Sequence, residues 1–81
     1  MISFSRNSKN TLRVEAIEGV GTTTTYMAEA VPGSLESQSV WQIQKIVETV
    51  VGGTTTTTIT YPNGDNRYWF IWNNRATYDY L

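Results

Sequence analysis

Thr54-Thr55-Thr56-Thr57-Thr58-Ile59-Thr60-Tyr61, then Pro62-Asn63-Gly64-Asp65-Asn66, then Arg67-Tyr68-Trp69-Phe70-Ile71-Trp72, is the stretch that decides the fold. Threonine is stiff at its first side-chain torsion and suits a pleated, half-exposed surface, so the first run reads as a strand. Asn63-Gly64 supplies two residues that tolerate positive φ, the mark of a hairpin turn. Residues 67–72 are aromatic and β-branched, and read as the returning strand. This meander predicts an all-β chain.

Working outward, Thr22–Thr25 is a second threonine block running into Tyr26-Met27-Ala28. It too reads as the start of a strand, over residues 22–31, with Tyr26, Ala28 and Ala30 on one face. A Pro-rich mucin-like stalk is excluded, because the chain has two prolines against 13 threonines. Residues 11–17 alternate, with Leu12, Val14 and Ala16 on one face and Arg13 and Glu15 on the other. Gly19 and Gly21 offer the turn between these two strands, and Pro32-Gly33-Ser34 ends the second. A polar surface loop is expected from Leu35 to Ser39. In residues 40–51, Val40, Ile43, Val47 and Val50 recur at helical spacing, with Gly52-Gly53 placed as a helix cap. The same segment is rich in Val and Ile, and its neighbours form a meander, which favours a strand. On that strand Trp41, Ile43 and Val47 share a face interrupted by Lys45. Residues 76–81 alternate again, with Ala76, Tyr78 and Tyr80 on one face. The sum is five or six short strands in a small antiparallel sandwich or open barrel, one β domain over residues 1–81.

Composition narrows the function. The chain has 81 residues, so a large share of its surface stays exposed and stability is marginal. It has no cysteine and no histidine, which removes disulfides, zinc fingers, and Cys–His or Ser–His–Asp catalysis. Its seven carboxylates are scattered through the sequence, so neither an enzyme nor a metal or other cofactor is expected. Asp65 sits in a turn whose chemistry accounts for it without calcium. A net charge of −1 argues against nucleic acid as a partner, and the longest apolar run is too short to span a membrane. The N-terminal Met-Ile-Ser-Phe-Ser-Arg lacks the apolar core of a signal peptide. With 16% charged and 12% aromatic residues, the balance is that of an interface, and assembly is the remaining source of stability. Both termini are accordingly expected to be held by neighbours.

The aromatic strand carries the sharpest site expectation. Tyr68, Phe70 and Trp72 point one way, Trp69 and Ile71 the other. Either the strand is central and covered on both sides, or Trp69 and Ile71 pack on another subunit. Arg67 is placed to stack on a ring or to fork onto a carboxylate. Arg75, at a strand junction, reads as a structural hydrogen-bonding residue, as do Trp41 and Trp72 for packing and Gly64 for the turn. Tyr78 and Tyr80 lie on a terminal strand that either forms an interfacial sheet edge or closes the chain's own barrel.

In order, Thr25-Tyr26-Met27-Ala28-Glu29-Ala30-Val31-Pro32-Gly33-Ser34, Val40-Trp41-Gln42-Ile43, Ile59-Thr60-Tyr61, Asn63-Gly64-Asp65 and Trp72-Asn73-Asn74-Arg75-Ala76 resemble a pattern in small proteins of tailed bacteriophages. The resemblance covers about residues 22–80, and departs where Asn73 stands for an expected Asp and Val31 for a small residue. It implies a virion-associated structural protein: capsid decoration, head–tail joint or tail or fibre accessory, a homo-oligomer or present in many copies on a larger assembly of other virion subunits. Its location would be the virion, assembled in the host cytoplasm. The competing expectation is a small glycan-binding module, which needs Trp69 and Trp72 coplanar and exposed on one face.

Overall fold

A computed structural model describes residues 10–81, so the segment read for a signal peptide and the expected anchoring of the N-terminus lie outside the described residues. Four antiparallel strands follow one another in space as in sequence: β1 (Thr11–Gly19), β2 (Thr22–Ala30), β3 (Ser39–Val51) and β4 (Thr54–Thr60). Both threonine blocks open strands, as their β-branching dictates. Residues 40–51 are strand and not helix, because β3 has to pair with β2 on one side and β4 on the other. Gly52 and Gly53 are therefore no helix cap. They form the two-residue turn between β3 and β4, with φ of 58° and 82° that a side chain would strain. The sheet is not closed. β3 alone, at about 3.3 Å per residue, accounts for most of the 50 Å length of the molecule.

The chain after β4 departs from its sequence reading. The Asn63-Gly64 turn forms, with φ of 52° and 71°, closed by bonds from the Gly64 and Asp65 N–H groups to the Tyr61 and Pro62 carbonyls. The segment that follows does not return along β4 as a hairpin partner. It runs on past the end of β4 toward the start of β3, where β5 (Phe70–Ile71) pairs with Ser39–Trp41. Residues 67–72 therefore contribute two strand residues in place of six, and β5 lies at the sheet's edge, not at its centre. Residues 72–77, in part expected as strand, form a 3₁₀ helix. Its end hands Asp79–Leu81 to the chain's own Tyr61–Asn63: Leu81 exchanges both backbone bonds with Tyr61, and the Asn63 N–H donates to the Asp79 carbonyl. The terminal segment thus closes onto its own chain.

This C-terminal layer covers one face of one end of the sheet, and the core lies beneath it. Tyr26, Ala28 and Ala30 of β2, Trp41 and Ile43 of β3, and Phe70 and Trp72 are buried there. Alanine at positions 28 and 30 leaves room for the large rings, as interdigitated packing requires. Trp41, fully buried, still needs a partner for its indole N–H, and finds it in the Leu35 carbonyl at 3.0 Å. The loop expected at Leu35–Ser39 is exposed, yet this bond and a second from the Asn73 N–H to the Glu36 carbonyl tie it to the core.

Candidate interaction surface

Register fixes which residues share a face. Arg13, Glu15, Tyr26, Ala28, Ile43 and Lys45 lie on the covered face; Leu12, Val14, Met27, Gln44, Ile46 and Ile59 lie on the other. An antiparallel strand ordinarily turns its apolar face to the core. β1 does the reverse. Leu12 and Val14 are about 60% exposed (62% and 59%), while Arg13 and Glu15 lean over the aromatic layer. The reason is the chemistry of the surface beneath. Arg13 sits 5.5 Å from the Trp41 ring centroid and pairs with Glu36 at 2.7 Å. Arg75 sits 4.3 Å from the Trp72 centroid and donates to Glu15 at 2.8 Å and to the Trp72 carbonyl at 3.1 Å. Guanidinium planes cover indole faces while keeping their charge paired at the rim. The Arg75 hydrogen bond holds the Glu15 carboxyl below its ordinary range, with burial opposing it and the Arg75 charge adding to it.

The expected interface residues separate into two groups. Tyr78 and Tyr80 are half-buried against the chain's own core. Tyr78 packs edge-on against Phe70 at 5.1 Å and its hydroxyl accepts the Ile71 N–H; Tyr80 packs against Tyr26 at 5.7 Å and donates to the Arg75 carbonyl. Burial, then the neighbouring Tyr26 and Tyr78, push the Tyr80 phenol well above its ordinary range, with Arg75 pulling the other way. These two rings pack against the core because the terminal segment folds over it. Trp69, by contrast, is half exposed, and Ile71 is half-buried beside it. Arg67 stacks on the Trp69 ring at 4.0 Å and pairs with Asp65 at 3.1 Å. For Asp65, burial acts to raise the carboxyl, but the Arg67 backbone N–H, guanidinium bond and charge together outweigh it and hold the group low.

Trp41, Trp72, Arg75 and Gly64 occupy packing, capping and turn positions. Trp72 is 5% exposed and tilted against Trp41, so Trp69 and Trp72 form no coplanar exposed pair.

Sequence reasoning did not single out the uncovered face as a site. Leu12, Val14, Met27 and Ile59 are exposed there, and Ile46 lies between them. A shallow depression of about 50 Å³ opens among Leu12, Met27, Glu29, Gln42 and Gln44. At its margin the Asn10 amide donates to Glu29 at 2.7 Å. The Tyr68 phenol is pushed up by burial, then by the charge and hydrogen bond of Glu29. The signal for this face was present in the alternation of residues 11–17, which marks two faces but not which one is covered. Among the described residues no group of three Asp or Glu is placed to hold a metal ion, and no helix is long and apolar enough to cross a membrane. No protein-family model matches the chain, and no curated protein or solved structure is significantly similar to it.

Proposed function

We propose that the chain is a non-enzymatic structural subunit of a bacteriophage virion, and that it acts by laying its uncovered sheet face on neighbouring subunits. The observation that carries the binding role is the face itself: Leu12, Val14, Met27 and Ile59 exposed on one side of an open sheet. Contiguous apolar surface of this kind is a mark of protein contact surfaces. Trp69, stacked under Arg67 beside Ser39 at the capped end of the sheet, offers an aromatic anchor of the type that dominates interfaces. The virion assignment rests on the ordered resemblance from Thr25 to Ala76. The glycan reading lacks its exposed Trp pair and is not retained.

The test has two arms. Quantitative mass spectrometry of purified particles from a phage encoding the chain should find it at a fixed ratio to the major capsid or tail protein; absence from the particles overturns the virion assignment. Val14→Lys and Met27→Glu change exposed side chains, so each should leave stability within about 0.5 kcal/mol of wild type. Both should reduce incorporation into particles. Normal incorporation of both variants overturns the role of the face.

A further inference from the structure

The two outer strands of the sheet are built differently. β1 carries Arg13, Glu15 and Glu18, and the Arg13 guanidinium donates to the Leu12 carbonyl at 3.0 Å. Charged side chains and a guanidinium on its outward carbonyl protect that edge. β4, Thr54–Thr60, has no charge, no proline and no bulge, and Thr54–Ile59 are exposed. Among the described residues, no strand pairs with its outer side.

The direction of its backbone groups follows from the ladder. The Val50 N–H donates to the Gly21 carbonyl at 2.9 Å, toward β2, so the backbone groups of Val51 face β4. Val51 is paired with Thr54 across the two-residue turn. Alternation then directs Thr54, Thr56, Thr58 and Thr60 at β3, and Thr55, Thr57 and Ile59 outward. Tyr61 confirms the phase, since its N–H and C=O face outward and bond to Leu81. Leu81 therefore already occupies the outer lane opposite Tyr61 and limits how far any added strand can run.

From this geometry we infer that the Thr54–Thr58 edge takes a second copy of this chain, antiparallel and two-fold symmetric about Thr56. In that register Thr55 exchanges both backbone bonds with Thr57 of the second copy, and Thr57 with its Thr55. Every cross-strand side-chain pair is then Thr on Thr, a pairing that sheets favour. The second copy's Gly52-Gly53 turn stops short of Leu81. Centring the pair on Thr57 would instead bring the second copy's Thr54 opposite Thr60, directly against Leu81, and leaves no room. The uncharged edge and the match between the threonine run and the free length before Leu81 select a copy of the chain over a charged partner strand. Because the two-fold axis stands perpendicular to the sheet, both uncovered apolar faces lie on the same side, making one wider surface. The inference deepens the assembly reading above but uses a separate surface.

A contact of five residues per copy falls below the area of a standard stable interface, about 1,200 Å² or more in total. Disulfide trapping suits such a contact, and the chain contains no cysteine to interfere. Single cysteines are placed at each of positions 54 to 58 of the full chain and oxidised with diamide, with circular dichroism of the reduced forms confirming the fold. At a two-fold centre, Thr56 faces its own copy in a non-hydrogen-bonded pair with Cα atoms about 4.5 Å apart, within disulfide reach. Thr56→Cys should form covalent dimer roughly tenfold faster than Thr55→Cys or Thr57→Cys, whose self-distances are longer by about two residue spacings. A flat profile, a maximum elsewhere, or a Thr56→Cys rate no greater than that of Val20→Cys at the exposed hairpin tip overturns the inference. Failure here leaves the uncovered-face reading standing, and failure of Val14→Lys and Met27→Glu to act leaves this edge contact standing.

Discussion

Ile43 and Val47 lie on the same strand and the same face, one turn of the pleat pattern apart from Lys45, yet their surroundings have little in common. Ile43 is fully buried under the C-terminal layer, while Val47, between Thr24 and Thr58, is only half-buried. The backbone pairing at the two ends of the sheet is equally regular. What differs is the second layer, which concentrates the rings at one end and leaves the threonine-rich end as a bare ribbon. Strand pairing fixes geometry at both ends, but burial supplies stability at one of them.

The sharpest way to break this comparison is to remove the layer. Deleting residues 77–81 takes away Tyr78 and Tyr80, and should abolish the cooperative fold, seen as loss of the near-ultraviolet dichroism of the aromatic cluster. Retention of a cooperative unfolding transition would show that the terminal segment is an accessory and not part of the core. Next in size, Trp41→Ala empties the centre of the capped end and should cost about 3–5 kcal/mol in urea unfolding. A cost below about 1 kcal/mol would mean that the site collapses freely. A matched pair sharpens the contrast within one strand. Ile43→Ala should cost about 2–5 kcal/mol and Val47→Ala about 1 kcal/mol or less. Equal costs would dissolve the distinction between the two ends.

The smallest expected effect concerns the rim of the layer. Arg75 holds the Glu15 carboxyl below its ordinary value of 4.5, so the stability from this pair is present above that pH and is lost as pH falls through the folded-state value. Glu15→Gln should therefore unfold at lower urea than wild type at about pH 7, and the two midpoints should converge toward about pH 3. A gap that stays constant over this range would show that shape and not charge is at work.

The lane outward of β4 gives the comparison a functional side. At the capped end this lane is filled by the chain's own Asp79–Leu81, and at the bare end no described residue pairs with the outer side of the threonine run. The same edge is thus closed internally where the core needs it and open where the sheet is one layer thick. The apolar residues of the uncovered face, from Leu12 to Ile59, lie in the capped half and stop at the border of the threonine run, so contact through the face does not depend on the edge.

What is legible in the chain alone depends on the distance over which each residue acts. β1 to β4 were legible because β-branching, alternation and glycine turns work over a few residues, and the glycines at 52 and 53 mark a hairpin once β3 is accepted as strand. Gly64 and Asn63 likewise made their turn where the dipeptide demanded it. The strand read at 67–72 shrank to Phe70–Ile71 because an Asn-Gly turn reverses the chain but does not oblige the outgoing segment to pair with the incoming one. Tyr78 and Tyr80 were legible as alternating aromatics and illegible as core. Their role depends on Tyr26 and Phe70, which are remote in sequence or reached only after the 3₁₀ turn.

The order and composition of the residues are enough to make this protein all-β, to open strands at its threonine blocks, and to leave it without thiol or imidazole chemistry. Those properties reside in composition and in local backbone preference. Which face of the sheet is covered was settled by long-range packing. Alternation in β1 is satisfied equally well with Leu12 and Val14 inward or outward. The choice fell to Trp41 and Trp72, whose ring faces took the guanidinium groups of Arg13 and Arg75 as their cover and turned the aliphatic side of the strand to the outside.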